Sequence, residues 1–593
     1  MGETTTFKLE NLGPKAFGDV WMAWRHLRRP ADGVVLAAAT LSRGGFVIID
    51  HLARQTQQVR GPRTLNCAWA LCQTPDGTVY QGDFGGYLYA WDWKSEHSVL
   101  ACDEKIGNVF TLDATPDGLV YIPEYSKNIM RRFDPKTGKI EDLCDYNEYG
   151  KHIRNVTCAS DGWVYVNAYT PDPNNAWSQL VALNPATGER YVVAEKGHHM
   201  AKDSGGRVFL PRQKWGRVIW QEMINGKPQA VDQEEVRITH EGKPFAFEDG
   251  GFIKAVSNKE VCYVDADGTE VKFPMTREDS PVRICSVEYG AGKVWLGTFI
   301  PLTLFAYDPI TDTSEGFGNP TQTNGEIYNM VYTHDKLYMA SYTGASIDRY
   351  TPGAPWRKDN STHANPVHIG RMKQTEIYLH RPHGRAVDPA GNVYFAAHGS
   401  YGCVDSGICR IDPKTDEMTS WLYPNTNFNG LGYHKKSGLL IVSERRMGED
   451  DLRLTLISPV DGSTVWSERV FEGLGSINSW LDSDGDTIYG MFAYRATIFA
   501  FDMIQRKVVT SLPELNVGDH CYNVLANGLD GRIWGVTNKT VFAVDRELKE
   551  VEVLAELGNE VEGSFYHFGC CFDDHGAFYF GNGADLMRLT MQS

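Results

Sequence analysis

Three histidines and one arginine lie close together in the segment YLHRPHGRAVDPAGNVYFAAH. The segment predicts a β-hairpin with its turn at 388–391, because a Gly-containing turn separates two runs of β-forming residues. The start of the first strand and the end of the second lie at the same end of a hairpin, so we expect His380, His383, Arg385 and His398 to share one edge. An imidazole can transfer a proton near neutral pH, and a guanidinium can bind a carboxylate. This hairpin is therefore the first candidate site.

Similar hairpins recur along the chain. Their turns centre on Gly33, Gly77, Gly118, Gly162, Gly206, Asn258, Gly292, Lys336, Gly391, Gly438, Gly485, Gly531 and Gly576. The runs that follow many of these turns alternate with period 2, as in TVYQGDF and NVYFAAH, which indicates a strand whose two faces differ. The usual spacing of roughly 40–50 residues is that of a four-stranded β-propeller blade. The sequence therefore predicts an all-β fold of about 13 blades.

Thirteen turns exceed the roughly four to eight blades of one propeller, so we predict two β-propellers, of six and seven blades. The last module ends without a fourth strand, and the alternating N-terminal segment TTTFKLE can supply it, which would hide an exposed edge. The predicted domains are 1–63, an N-terminal strand and one blade that can join the C-terminal propeller; 64–323, the first propeller; and 324–593, the second. Plain tandem order is the alternative.

Composition bears on the partners and the location. The chain carries a formal net charge of −17 and no long basic run, which disfavours nucleic acid or an anionic membrane as a partner. No apolar segment is long enough to span a bilayer. The N-terminus lacks the apolar core of a secretory signal, so we expect a cytoplasmic protein, or a secreted one if the sequence is trimmed.

A second type of turn closes the outer hairpin of several blades. It reads DPKTG at Asp134–Gly138, NPATG at Asn184–Gly188, DPITD at Asp308–Asp312 and DPKTD at Asp412–Asp416. Together with the inner turns, this pattern resembles the virginiamycin B lyase, SMP-30 and NHL group of propellers and the propeller-type polysaccharide lyases. The resemblance covers nearly the whole chain at the level of repeat architecture. It implies lyase chemistry at a channel mouth and a divalent metal (Mn, Ca or Zn), with His380, His383, His398, His520 and His567 as candidate ligands.

Strand ends from several blades meet at a channel mouth, and in the second half of the chain these positions are rich in polar side chains. The candidate catalytic residues are His383, His398, Tyr494 and His520. The candidate substrate-binding residues are His380, Arg385, Tyr342, Glu444, Arg445, Arg495, Tyr522, Asn523 and His567.

These residue types suit β-elimination at a uronic acid. Arginine neutralises the carboxylate, histidine or tyrosine removes the C5 proton, and the same or another group protonates the leaving oxygen. We therefore expect a carbohydrate-active enzyme, a lyase that cleaves an acidic, uronic-acid-containing glycan or oligosaccharide in a propeller channel.

Two alternatives stay open. The first half of the chain has its own predicted rim, in which Asp83 and Glu124 offer paired carboxylates for a glycoside hydrolase acting on a similar glycan. The other alternative is a non-catalytic tandem-propeller scaffold for protein interactions, which predicts exposed aromatic or charged patches on the blades and an ordinary channel.

Overall fold

The computed structural model describes residues 6–61, 67–170, 177–195, 200–214, 217–236, 238, 245–359, 361, 363–372, 379–399, 404–446, 452–472, 475–493, 497–512, 515, 522–558 and 569–592. Within these residues the chain forms β-strands and one short 3-10 helix, Gln233–Glu235. The strands pair into 13 four-stranded antiparallel sheets, each of which is one propeller blade. The described residues include no helix that is long and apolar enough to cross a membrane.

Six blades form one compact unit, Asp19–Ser280, which we call the six-blade propeller. From the innermost strand outward, blade 1 is Trp21–Arg28, Val35–Leu41, Gly45–Asp50 and Gln55–Arg60; blade 2 is Ala68–Gln73, Val79–Asp83, Leu88–Trp91 and Val99–Leu100; blade 3 is Asp113–Ala114, Val120–Glu124, Ile129–Asp134 and Lys139–Asp145; blade 4 is His152–Cys158, Val164–Thr170, Trp177–Leu183 and Arg190–Ala194; blade 5 is Ala201–Lys202, Val208–Lys214, Arg217–Ile224 and Lys227–Ala230; blade 6 is Phe245–Ala246, Phe252–Val256, Glu260–Val264 and Glu270–Pro274.

Seven blades form the other unit, Met1–Gly18 with Pro281–Ser593, which we call the seven-blade propeller. Blade 7 is Ile284–Gly290, Lys293–Thr298, Leu304–Asp308 and Thr313–Gly318; blade 8 is Glu326–Thr333, Lys336–Tyr342, Ser346–Tyr350 and Val367–Arg371; blade 9 is Leu379–Val387, Val393–Gly399, Asp405–Ile411 and Met418–Pro424; blade 10 is Thr426–His434, Leu439–Arg446, Leu452–Ile457 and Thr464–Phe471; blade 11 is Ile477–Asp482, Thr487–Phe492, Ile498–Asp502 and Lys507–Ser511; blade 12 is Leu525–Asn527, Ile533–Val536, Thr540–Val544 and Val551–Glu556; blade 13 is Cys570–Phe572, Phe578–Asn582, Asp585–Gln592 and Thr6–Pro14.

The tight turns that join the two inner strands of a blade account for much of the glycine pattern. In blade 2 the Gly77 N–H donates to the Thr74 carbonyl at 2.9 Å, and Gly77 adopts a φ of +93°. A Cβ there would lie 2.5 Å from Cγ of Pro30 in blade 1, so both the conformation and the space require glycine. The aspartate before it accepts the N–H of Thr78 at 3.0 Å, which is why Asp–Gly pairs mark these turns.

Apolar side chains between neighbouring blades build the core of each propeller. In the six-blade propeller, Val47 and Ile49 of blade 1 pack with Phe245 and Val261 of blade 6, so the last blade meets the first. Burial of such a large aliphatic or aromatic side chain contributes about 1.5–3 kcal/mol. The ring is thus closed by packing between blades whose strands are far apart in sequence.

The N-terminal strand closes the seven-blade propeller as predicted. Thr6–Pro14 pairs antiparallel with Asp585–Gln592, with Phe7 opposite Met591, and so completes blade 13. Ile284 and Val287 of blade 7 pack with Tyr579 of blade 13. An edge strand that would otherwise be unpaired is covered by the chain's own N-terminus.

The structure divides the chain at other positions than the predicted boundaries 63/64 and 323/324. Only the strand Thr6–Pro14 joins the C-terminal propeller, while the blade at 21–60 stays in the six-blade propeller. The blade at 284–318, which we had assigned to 64–323, belongs to the seven-blade propeller. One strand is sufficient to complete blade 13, so a whole blade does not have to cross.

Candidate functional site

Two irregularities in the innermost strand of blade 9 shape the predicted histidine site. Along Leu379–Val387 the pairing register shifts between Leu379 and Arg381 and again between Arg381 and Gly384. Such bulges change the direction in which side chains point. Between them, Arg381 lies directly opposite His398 of the next strand, which brings a guanidinium and an imidazole to adjacent positions of one sheet face.

His383 lies at the centre of a compact aromatic cluster. Its ring centroid is 4.7 Å from that of His398, 4.2 Å from that of Tyr522 and 5.0 Å from that of Tyr328. Tyr328 belongs to blade 8, whereas His383 and His398 belong to blade 9. The inner ends of neighbouring blades therefore assemble the cluster.

Tyr342 extends this cluster toward Arg381. The Arg381 guanidinium lies 5.0 Å from the centroid of the Tyr342 ring. The His380 ring also contacts Tyr342, in an edge-to-face arrangement with the ring centroids 4.6 Å apart. Tyr328 connects the two groups at 5.9 Å from Tyr342. The structure thus brings together His380, His383, His398, Tyr342 and Tyr522, all of which the sequence singled out.

Backbone hydrogen bonds assign the tautomers of two of these imidazoles. The Gly344 N–H donates to Nδ1 of His380 at 3.1 Å, so in the neutral ring the proton is on Nε2. Nδ1 of His398 lies 3.1 Å from the carbonyl of Gly399, so this nitrogen donates and Nε2 keeps its lone pair. His398 can therefore accept a proton at Nε2, and His380 can donate a hydrogen bond from Nε2.

Burial keeps the imidazoles uncharged at neutral pH. It lowers the pKa of His380 and of His398 to about 4, with a further contribution from the positive charge of Arg381. Burial likewise lowers the pKa of His383 well below its usual range, with smaller contributions from His398 and Arg381. The cause is the cost of placing a cation in a poorly hydrated site next to another cation.

A network of amides holds the inner strands in place beside the cluster. Nδ2 of Asn523 donates to Oδ1 of Asn329 at 2.8 Å and to the His383 carbonyl at 3.1 Å, while Nδ2 of Asn329 donates to the Pro382 carbonyl at 2.7 Å. Both asparagines are buried. Asn523 thus holds the backbone that carries His383, and substrate binding by Asn523 stays a prediction.

Arg385 does not share the edge of the three histidines. It lies opposite Phe395, farther along the strand than Arg381, and donates to a Glu288 carboxylate oxygen and to the Met330 carbonyl, each at 2.5 Å. Burial raises the pKa of Glu288, against the lowering effect of the Arg385 charge. Arg385 is thus the partner of a half-buried carboxylate, and Arg381 occupies the position that we had expected for it.

Glu444 and Arg445 lie in the second strand of blade 10, and substrate binding by them stays a prediction. The Glu444 carboxylate is buried and accepts hydrogen bonds from Thr455 and from Arg446, the latter at 2.6 Å, so it stabilises blade 10 from within. Arg445 is exposed near the end of its strand, opposite Asn427. The other predicted residues, Tyr494, Arg495, His520 and His567, lie outside the described residues.

The carboxylates proposed for a hydrolase are engaged in turns of the six-blade propeller. Asp83 accepts the Tyr87 N–H at 2.9 Å and the Tyr89 hydroxyl at 3.0 Å. Glu124 accepts the N–H groups of Asn108 at 3.2 Å and Ser126 at 3.1 Å. Both side chains are buried. They therefore stabilise local turns, and their function as a catalytic pair stays a prediction.

The predicted metal site gains no ligand set from the described residues. Among these residues, no three His, Cys, Asp or Glu side chains are grouped so that they could hold a metal ion. The three imidazoles of blade 9 contact aromatic rings and backbone atoms. Binding of a divalent metal stays a prediction.

The strand pairing defines an all-β protein of two propellers. No family model and no curated protein matches the chain. Among solved structures, the chain is similar to a streptogramin B lyase (12% identity, 54% of this chain and 96% of that chain covered, TM-score 0.40). It is also similar to a catalytically inactive virginiamycin B lyase from Staphylococcus aureus with quinupristin (12%, 52% and 95%, TM-score 0.40). The extracellular domain of a hybrid two-component system from B. thetaiotaomicron is a third (12%, 93% and 73%, TM-score 0.39).

Proposed function

We propose that the protein is a carbohydrate-active lyase that cleaves an acidic, uronic-acid-containing glycan by β-elimination at the blade 9 cluster. The observation that carries the proposal is the placement of Arg381 directly opposite His398 in a cluster that also holds Tyr522. β-Elimination requires a cation for the uronate carboxylate, a base for the C5 proton and an acid for the leaving oxygen. The cluster contains one candidate for each.

Arg381 is the proposed carboxylate ligand. A guanidinium can form two parallel hydrogen bonds to a carboxylate, which fixes the plane of that group. Its contact with the Tyr342 ring, at 5.0 Å, restrains the guanidinium before substrate binds. Neutralising the carboxylate makes the C5 proton more acidic, because the negative charge that develops at C5 is delocalised onto the carboxyl group.

His398 is the proposed base. Its Nε2 lone pair takes the C5 proton, the electrons form a C4=C5 double bond, and the C4–O bond breaks. The pKa of His398 near 4 makes the free imidazole a weak base, and the Arg381 charge contributes to that low value. When a substrate carboxylate neutralises Arg381, this contribution is removed and the pKa of His398 rises. Substrate binding would thus strengthen the base at the moment it is needed.

Tyr522 is the proposed acid, and His380 orients the substrate. Tyr522 packs 4.2 Å from His383, on the side of the cluster formed by the segment before blade 12, and is half-buried. A phenol can donate its proton to the leaving oxygen. His380, which carries its proton on Nε2, can donate a hydrogen bond to a sugar hydroxyl.

The test is ultraviolet absorbance of the unsaturated product with polygalacturonate, alginate, hyaluronan and a rhamnose–uronate glycan, each with and without EDTA. A positioned base contributes on the order of 10²–10⁴-fold, so His398→Gln should lower turnover by that factor. Arg381→Gln should lower kcat/KM at least as much as Arg381→Lys, because lysine keeps the charge without the bidentate geometry. Arg506→Gln and His363→Asn alter exposed residues outside the cluster and should leave turnover unchanged.

Other outcomes would contradict the proposal. New reducing ends without a rise in absorbance would indicate a hydrolase. Normal elimination in His398→Gln and Arg381→Gln, with a substrate that the protein cleaves, would place the chemistry elsewhere. No reaction with any glycan would favour the protein-interaction scaffold. Loss of activity with EDTA would support the predicted divalent metal.

A further inference from the structure

The six-blade propeller repeats aromatic side chains at equivalent positions of successive blades. Trp69, Phe110 and Arg154 each lie eight residues before the turn glycine of blade 2, 3 or 4. Because these positions are equivalent, they meet as neighbours around the channel. The ring centroids of Trp69 and Phe110 are 5.7 Å apart, and the Arg154 guanidinium lies 4.4 Å from the Phe110 centroid.

A second tier of rings surrounds the first. Phe84, Tyr125 and Tyr169 each lie seven residues after the same turn glycines, at or just beyond the end of the second strand of their blades. Phe84 packs 5.0 Å and Tyr125 5.1 Å from Phe110. All of these rings are half-buried, so each keeps part of its surface accessible. The repeat therefore produces a continuous aromatic wall on one side of the channel mouth.

This wall lines part of the channel cavity of the six-blade propeller. The channel cavity has a volume of about 1800 Å³. Trp69, Phe110 and Tyr169 line it together with Arg154 and Asn167. Such a volume exceeds the roughly 300–1,000 Å³ of sites for drug-sized ligands, so it can accept several sugar units.

Arg154 is the charged group of this wall. It is exposed, it rests on the face of Phe110, and it makes no ion pair within the described part of the chain. Stacking on an aromatic face restrains a guanidinium while leaving its edge available to a carboxylate. The guanidinium can thus bind an anion that no described residue supplies.

We propose that this mouth is a second saccharide-binding site, which holds an acidic oligosaccharide away from the blade 9 cluster. Sugar rings would stack on Trp69 and Tyr169, the amide of Asn167 would bind hydroxyls, and Arg154 would bind a uronate carboxylate. Neighbouring rings are inclined to each other by 55–82°, which forms a curved wall without the parallel slot that a nucleobase would need. The choice of an acidic sugar rests on the proposed function.

The site can be tested by calorimetric titration with two acidic probes, trigalacturonate and a hyaluronan tetrasaccharide. Maltotriose is the uncharged control. The titrations use the full-length His398→Gln protein, so that cleavage does not interfere. In that background we expect saturable binding of an acidic probe, weaker at high salt, and at least a tenfold loss of affinity in Arg154→Gln and in Trp69→Ala. Arg54→Gln, which removes an exposed arginine from a turn of blade 1, should bind normally.

The outcomes for the two sites are distinguishable. Unchanged affinity in Arg154→Gln and Trp69→Ala, equal affinity for maltotriose, or no binding of any probe would overturn the second site. The proposed lyase is judged separately, by turnover in the His398 and Arg381 variants. Arg154→Gln is a surface substitution, so it keeps the test valid even if Trp69→Ala fails to fold.

Discussion

Acid is expected to destabilise the seven-blade propeller through His380 and His398. Both imidazoles have an ordinary pKa of 6.5, and burial with the nearby Arg381 charge lowers it to about 4 in the folded protein. Between these values the unfolded chain binds protons that the folded chain does not. The stability contributed by the two neutral imidazoles is therefore complete above about pH 6.5 and is lost as the pH falls toward 4.

The size of the effect follows from the shift. One unit of pKa corresponds to about 1.4 kcal/mol, so a shift from 6.5 to about 4 would amount to about 3.5 kcal/mol per imidazole when fully expressed. At pH 4.5 the linkage relation gives a loss of stability of about 2.5 kcal/mol per imidazole. His398 is partly accessible, so solvent screening reduces the expected value to about 2 kcal/mol.

The assay is urea unfolding at pH 7 and at pH 4.5. Unfolding is monitored by pulsed hydrogen exchange with mass spectrometry, so that each propeller is observed separately. The measured quantity is the difference in unfolding free energy between the two pH values within one variant, which cancels any constant cost of the substitution. His398→Asn should reduce this difference in the seven-blade propeller by about 2 kcal/mol. His363→Asn, which changes an exposed imidazole, should keep the wild-type difference.

An unchanged pH difference in His398→Asn would refute the reasoning. So would a pKa near 6.5 for His398, measured by nuclear magnetic resonance on the folded protein. Either result would mean that the imidazole is well hydrated, and the argument that substrate binding strengthens this base would then fail as well.

Three further predictions concern residues that stabilise the seven-blade propeller. Arg385→Met leaves the half-buried Glu288 carboxylate without its arginine and should lower the unfolding free energy in urea by up to about 3 kcal/mol, whereas adding Glu288→Gln should restore most of it. Asn523→Ala removes the donor to Asn329 and should cost about 1–3 kcal/mol in the same assay, and a value near zero would exclude a bracing function for the amide network. Glu444→Gln should lower the thermal midpoint but keep lyase turnover, and a loss of turnover at unchanged stability would return this residue to the site.

The repeat architecture could be predicted because its signals are local. Period-2 alternation reports that a strand has one face toward a neighbouring blade, and a turn that needs a positive φ selects glycine, as at Gly77. These signals recur in most blades, so their number predicted 13 sheets in two rings, and a missing fourth strand predicted the closure by Thr6–Pro14.

The division into domains could not be predicted in the same way. All blades share one pattern, so nothing local tells whether the blade at 21–60 belongs to one ring or the other. That choice depends on contacts such as Val47 with Phe245, and Ile284 with Tyr579, between residues far apart in sequence. Ring closure is a property of side-chain packing at two ends of a long segment.

The same distinction holds for the candidate site. Strand ends identified His380, His383 and His398 as neighbours, because a hairpin returns the chain to the same edge. The same reasoning also placed Arg385 at this edge. Two bulges change the direction of the side chains along the strand, so that Arg381 lies opposite His398 and Arg385 contacts Glu288. The sequence alone thus determined the blades and the residues that gather at their ends. Only the tertiary structure decided which of these side chains meet one another, because bulges and partners from other blades control the direction and the charge balance of each group.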